Sequence, residues 1–160
     1  MNEILNKISS YNLFNNLFPG VLFVVIADYF TSFSFTQSDI VSGLILYYFI
    51  GLLISRVGSL IVEPFLKWTK LLKFADYHKY VAASKTDPTI EILSEINNTY
   101  RTLIAVFISL ILLKGYDLFL MKNPMLNAYS LPVAIILCLI LFIFSYCKQT
   151  NYITKRVMKK

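Results

Sequence analysis

Residues 129–147, YSLPVAIILCLILFIFSYC, contain no charged side chain. A helix crossing the roughly 30 Å hydrocarbon core of a bilayer needs about 20 mostly apolar residues. This stretch therefore reads as a transmembrane span, and it decides the class of the chain. Three others share its character: LFPGVLFVVIADYFTSFSF from about Leu17 to Phe35, IVSGLILYYFIGLLISRVGSLIV from about Ile40 to Val62, and the segment from Leu103 to Met121. Backbone polar groups in lipid must find partners within the segment, which favours helices. The expectation is an all-α polytopic membrane protein: a single membrane domain over 1–160, with four transmembrane helices and a cytosolic helical connection between spans two and three. Composition agrees, because 57% of the residues are hydrophobic and only 15% charged, against about 25% charged in soluble domains.

Lys and Arg placement predicts the threading. The loop TSFSFTQSD between spans one and two has neither, and the loop between spans three and four has only Lys122. The 63–101 connection carries Lys67, Lys70, Lys73, Lys79 and Lys85, flanked by Arg56 and Arg101, and the 148–160 tail carries Lys148, Lys155, Arg156, Lys159 and Lys160. This asymmetry puts both termini and the connection in the cytosol, as in a bacterial inner-membrane protein. The N-terminus offers only Lys7 and no small-residue cleavage site, so the first span is expected to be retained. The net charge of +6 is then a topology signal, and a nucleic-acid partner is not needed to explain it.

Within the connection, Lys67, Lys70 and Lys73 recur every three residues, with Leu66, Trp68, Leu71 and Leu72 between them. That pattern suits a helix lying on anionic headgroups, or else the second helix running on into the cytosol. Further along, TDPTIEILSEINNTYR opens with a helix-start signature, Asp87 as cap and Pro88 as first helical residue. Ile92, Leu93, Ile96, Tyr100 and Leu103 follow at helical spacing. One long helix is expected from Pro88 into the third span, its apolar stripe covered by the preceding helix or a neighbouring subunit. Asn97, Asn98 and Arg101 on this helix join Lys67, Lys70 and Lys73 as the candidate surface for a cytosolic partner or lipid. Gly51, Ser55, Gly58 and Ser59 mark a small-residue helix-packing face on the second span, within one chain or between copies.

Asp28, Lys114 and Asp117 are the candidate intramembrane charges. Each costs about 2.5–3.5 kcal/mol near the bilayer centre unless paired or wet. Asp28 and Lys114 each lie eleven residues into parallel spans, about 16 Å deep at 1.5 Å per residue. A buried Asp28–Lys114 pair is thus permitted, with Asp117 sharing Lys114 at i,i+3. The alternatives are that Lys114 snorkels, that Gly115 ends the helix, or that Asp28 is the coupling carboxylate of a small transporter or channel.

No Gly-rich phosphate loop, HExxH, GxSxG or paired-carboxylate motif occurs. His78 stands alone, and Cys138 and Cys147 make no CxxC. The chain is therefore expected to be no enzyme, with no metal, cofactor or catalytic residue. NLFPGVLF before the first span, SRVGSLIVEP at the end of the second and EINNTYRTL entering the third give a layout that resembles small four-span bacterial membrane proteins of phage-defence loci, such as the Kiwa membrane subunit and the RexB exclusion protein. The resemblance implies a homo-oligomeric sensor or effector, such as a tetramer, which senses a membrane event or opens a pore and acts with a cytosolic protein through the connection and tail. It carries over no functional residue.

Overall fold

The computed structural model describes residues 13–158, whose only regular elements are helices, without a strand among them. Lys7, Lys159 and Lys160 lie outside the described residues, as do the side chains of His78, Lys155 and Arg156. A π-helical turn, Leu13–Leu17, leads into α1 (Phe18–Phe30). Helix α2 spans Ile40–Trp68, with a π-turn at Gly58–Val62. Helix α3 (Tyr77–Thr86) is short, α4 (Thr89–Lys122) is long, and a 3-10 segment, Pro124–Tyr129, joins α4 to α5 (Ser130–Val157).

The helix ends follow from local chemistry. Asp39 Oδ2 accepts the Ser42 amide at 2.7 Å and starts α2, supplying an acceptor to an orphan donor of the first turn. Asp87 Oδ1 accepts the Thr89 amide at 2.9 Å where α4 begins, and the Thr89 hydrogen bonds hold this exposed carboxyl below its ordinary range. Pro19 sits where the Leu13–Leu17 π-turn passes into α1, a place where proline's missing N–H disturbs a regular helix least.

Three helices are long and apolar enough to cross a membrane: Ile40–Trp68, Thr89–Lys122 and Pro124–Thr154. The fourth apolar helix, Asn15–Phe30, is shorter and corrects the expected 17–35 span. Its 16 residues measure about 24 Å at 1.5 Å per residue. It stops where Thr31 turns extended, and the Asp28 carboxylate takes the Phe35 and Thr36 amides of the chain beyond. The connection after α2 is also corrected. Lys70 adopts φ 60°, its amide closes on the Lys67 carbonyl at 3.1 Å, and residues 69–76 are not helical. Lys67, Lys70 and Lys73 therefore share no helical face, because the left-handed residue ends α2 at Trp68 before the pattern can repeat.

Helix α1 packs against both α2 and α4, and the core forms there from Phe23, Val24 and Ala27 with Ile54, Val62, Ala105, Val106 and Leu110. Gly20 and Gly51 bring the α1 and α2 backbones together. A Cβ on Gly51 would strike the Asn16 carbonyl oxygen, and one on Gly20 would lie 2.9 Å from the Gly51 nitrogen. A Cβ on Gly58 would reach the Arg101 carbonyl at 3.3 Å, so this glycine serves the α2–α4 contact. With Ser55 buried, much of the small-residue face is spent inside the chain. Helix α5 packs on α2, for example through Phe49 and Phe142 with ring centroids 6.2 Å apart, and leaves most of its apolar surface exposed.

Candidate functional sites at the two ends of the bundle

At the α1–α2 loop end, two carboxylates organise backbone that α1 leaves without helical partners. Asp28 sits in the last turn of α1, a helix end rather than the mid-depth its sequence position suggested. It accepts the Phe35 amide at 2.7 Å and the Thr36 amide at 3.0 Å, one on each oxygen. Asp117, only 1% exposed, accepts the Ser32 amide at 3.3 Å and the Ser32 hydroxyl. Lys114 Nζ lies 3.0 Å from Asp117 Oδ2. The i,i+3 option thus describes the ion pair formed, and Asp28 is committed to loop amides. Gly115 does not end the helix, and α4 continues to Lys122. The Lys114 side chain is 28% exposed and lies 5.5 Å from the Phe30 ring centroid. Phe33 stacks on Tyr116 at 6.2 Å, and the Tyr116 hydroxyl meets Ser130 Oγ at 2.8 Å, tying in the start of α5. A shallow cleft of about 310 Å³ opens here, lined by Ser32, Phe33, Asp117, Leu120, Pro124 and Asn127 among others. Both Asp117 oxygens are occupied by chain donors, so this carboxylate acts as a clasp between loop and helix.

The opposite end holds a denser electrostatic cluster. Glu63, 9% exposed, accepts Lys67 Nζ at 2.8 Å on one oxygen and Arg101 Nη1 at 2.9 Å on the other. Lys148 Nζ donates to the Ser59 carbonyl at 2.6 Å and the Ser59 hydroxyl at 2.7 Å. The charges of Glu63, Arg101, Lys67 and Arg56 all act on Lys148. Two cations thus hold one carboxylate, and a third, Lys148, is anchored one turn away on Ser59. Arg101 Nε is buried and has no acceptor among the described residues, an arrangement that costs about 1–3 kcal/mol. Lys67 also covers the Phe74 ring at 4.0 Å, which draws the irregular segment back over α2.

The remaining candidates scatter. Lys70, Lys73 and Asn97 are exposed, and Asn98 is half-buried, its carbonyl accepting the Thr102 hydroxyl at 2.9 Å. Sequence reasoning did not bring Glu63, Arg101 and Lys148 together. The signal was present: Glu63 lies near the end of α2, Arg101 in α4 and Lys148 in α5, and helix packing sets Arg101 on Glu63 and Lys148 on Ser59. Among the described residues, no group of three His, Cys, Asp or Glu side chains could hold a metal ion.

These features define an all-helical protein with apolar helices of membrane-spanning length and charged clusters at both ends. No protein-family model, curated protein or solved structure matches the chain.

Proposed function

We propose that this chain is a non-enzymatic, four-span protein of the bacterial inner membrane, with both termini and the 63–101 connection cytosolic. It assembles with itself and couples a membrane event to a cytosolic protein partner, as a sensor or effector in anti-phage defence. One observation carries the assembly and coupling: α4 is a continuous helix of 34 residues, about 51 Å long at 1.5 Å per residue, and so about 20 Å longer than a hydrocarbon core. Its first turns, beyond the most apolar stretch, leave Ile92, Leu93, Ile96 and Tyr100 exposed. An apolar stripe on a projecting helix is a surface for a second copy or a partner. Displacement of the membrane half of such a helix moves that stripe with it.

The transporter reading required a free carboxylate. Asp28 spends both oxygens on backbone amides, and protonating it would break the bonds that hold the loop. This counts against a role in proton or cation coupling.

Assembly is tested by disulfide cross-linking of Ile96→Cys in native membranes, in a background with Cys138 and Cys147 replaced by Ser, followed by native mass spectrometry in mild detergents. The expected result is a cross-linked oligomer that persists in detergent. A strict monomer across several detergents, with no cross-link in membranes, refutes self-assembly.

A further inference from the structure

We infer that the Glu63 cluster is a binding site for the phosphodiester headgroup of an anionic phospholipid. The inference rests on the membrane placement proposed above and names a ligand for a cluster that the placement leaves unassigned.

Lys67 of α2 and Arg101 of α4 meet on Glu63, and Lys148 of α5 bonds to Ser59 one turn earlier on α2, so three helices of membrane-spanning length meet here, with Arg56 seven residues before Glu63 on α2. Glu63 is the acid these cations share, and it is saturated by Lys67 and Arg101. The cations outnumber the one acid, and the direct hydrogen bonds of Lys148 go to the neutral oxygens of Ser59. The Arg101 side chain is 21% exposed and keeps only Nη1 on Glu63. Phosphate oxygens fit such a group of cations, since guanidinium and ammonium groups recognise them by charge-assisted hydrogen bonds. The surroundings select lipid over a soluble phosphate. The cluster closes the apolar run of α2 and the most apolar stretch of α5, and exposed Trp68 and Phe65 stand beside it, their rings 6.0 Å apart. An aromatic pair next to cations at the end of apolar helices matches headgroup depth, and basic pockets between membrane helices are headgroup sites.

The full-length protein is tested in nanodiscs of phosphatidylcholine doped with phosphatidylglycerol, and lipid retained on extraction is counted by native mass spectrometry. Wild type is expected to retain phosphatidylglycerol over phosphatidylcholine. Arg56→Gln should lower that retention about fivefold, the worth of one cation near an anionic surface, and it removes neither Glu63 ion pair. Lys148→Gln should do the same. Glu63→Gln removes the competing carboxylate and should raise retention, a change of sign that a merely structural role would not produce. Retention unchanged in folded Arg56→Gln and Lys148→Gln overturns the inference, as does a fall in Glu63→Gln. Release of the bound lipid by millimolar inorganic phosphate would instead assign the site to free phosphate and refute the lipid. The readout is lipid occupancy, so failure of self-assembly or defence leaves this result standing, and the reverse holds equally.

Discussion

Removing the Ser32 hydroxyl and neutralising Asp117 should cost far less together than the sum of the two separate changes. Asp117 is 1% exposed and takes the Ser32 amide, the Ser32 hydroxyl and Lys114. Ser32→Ala deletes one charge-assisted bond, about 2 kcal/mol within the range of about 1.5–3 for hydrogen bonds to charged groups. Asp117→Asn weakens every bond at the site and turns an NH₂ group toward one of its donors. The Lys114 end is partly exposed, which discounts the ion pair, so about 3 kcal/mol is expected. In the double variant the hydroxyl bond can be lost only once, giving about 3.5 kcal/mol in total and a coupling of about 1.5, inside the range for contacting residues. The assay is SDS titration of the protein in mixed micelles, with the unfolded fraction read by pulse proteolysis. Asp28→Asn with Lys114→Met serves as the contrast. Asp28 bonds to Phe35 and Thr36 and Lys114 to Asp117, so those two losses should add within about 0.5 kcal/mol. Additive costs at Ser32 and Asp117, or strong coupling between Asp28 and Lys114, would refute the partner assignment.

Gly51→Ala drives a Cβ into the Asn16 carbonyl and should destabilise the protein by about 3 kcal/mol, the upper end of ordinary overpacking costs. Gly115→Ala, with nothing within 4 Å of the added carbon, should instead stabilise by about 0.5–1 kcal/mol through helix propensity; the same SDS titration separates the two. At the start of α4, the Thr89 hydrogen bonds lower the Asp87 carboxyl. The stability this group contributes is present above its ordinary value near about 3.9 and is lost as pH falls through the lowered folded value. The Thr89 and Ile90 amides should therefore gain relative hydrogen-exchange rate on acidification past that point, an effect absent in Asp87→Ala.

Length and hydropathy were enough to read an all-helical chain with membrane-length apolar helices, because both depend only on consecutive residues. The start of α4 was legible to within a residue: the helix begins at Thr89 after Pro88, one position later than expected, and Asp87 accepts the Thr89 amide. The long helix through Ile92 to Lys122 was written in its own periodicity. Helix stops proved harder to read. TSFSF looks apolar enough to prolong α1, yet Thr31 is extended and Asp28 draws the Phe35 and Thr36 amides back to the helix end, and the Lys67–Lys70–Lys73 spacing suggests a helix that the left-handed Lys70 interrupts.

The sequence alone determined which residues are costly in lipid and which helices are long enough to meet it. Pairing was left to tertiary structure. Asp28 and Lys114 match in depth when counted along ideal spans, but depth is one coordinate and contact needs three. The early end of α1 gave Asp28 two amides at hand, and Ser32, 85 residues from Asp117 in sequence, reached the other carboxylate. Glu63 likewise became a hub only when helix packing, set by Gly51 and Gly58 on α2 and by the α1 core, brought Arg101 and Lys148 alongside. Partner choice depends on distances between segments remote in the chain, and those distances are fixed by backbone close approach and core packing.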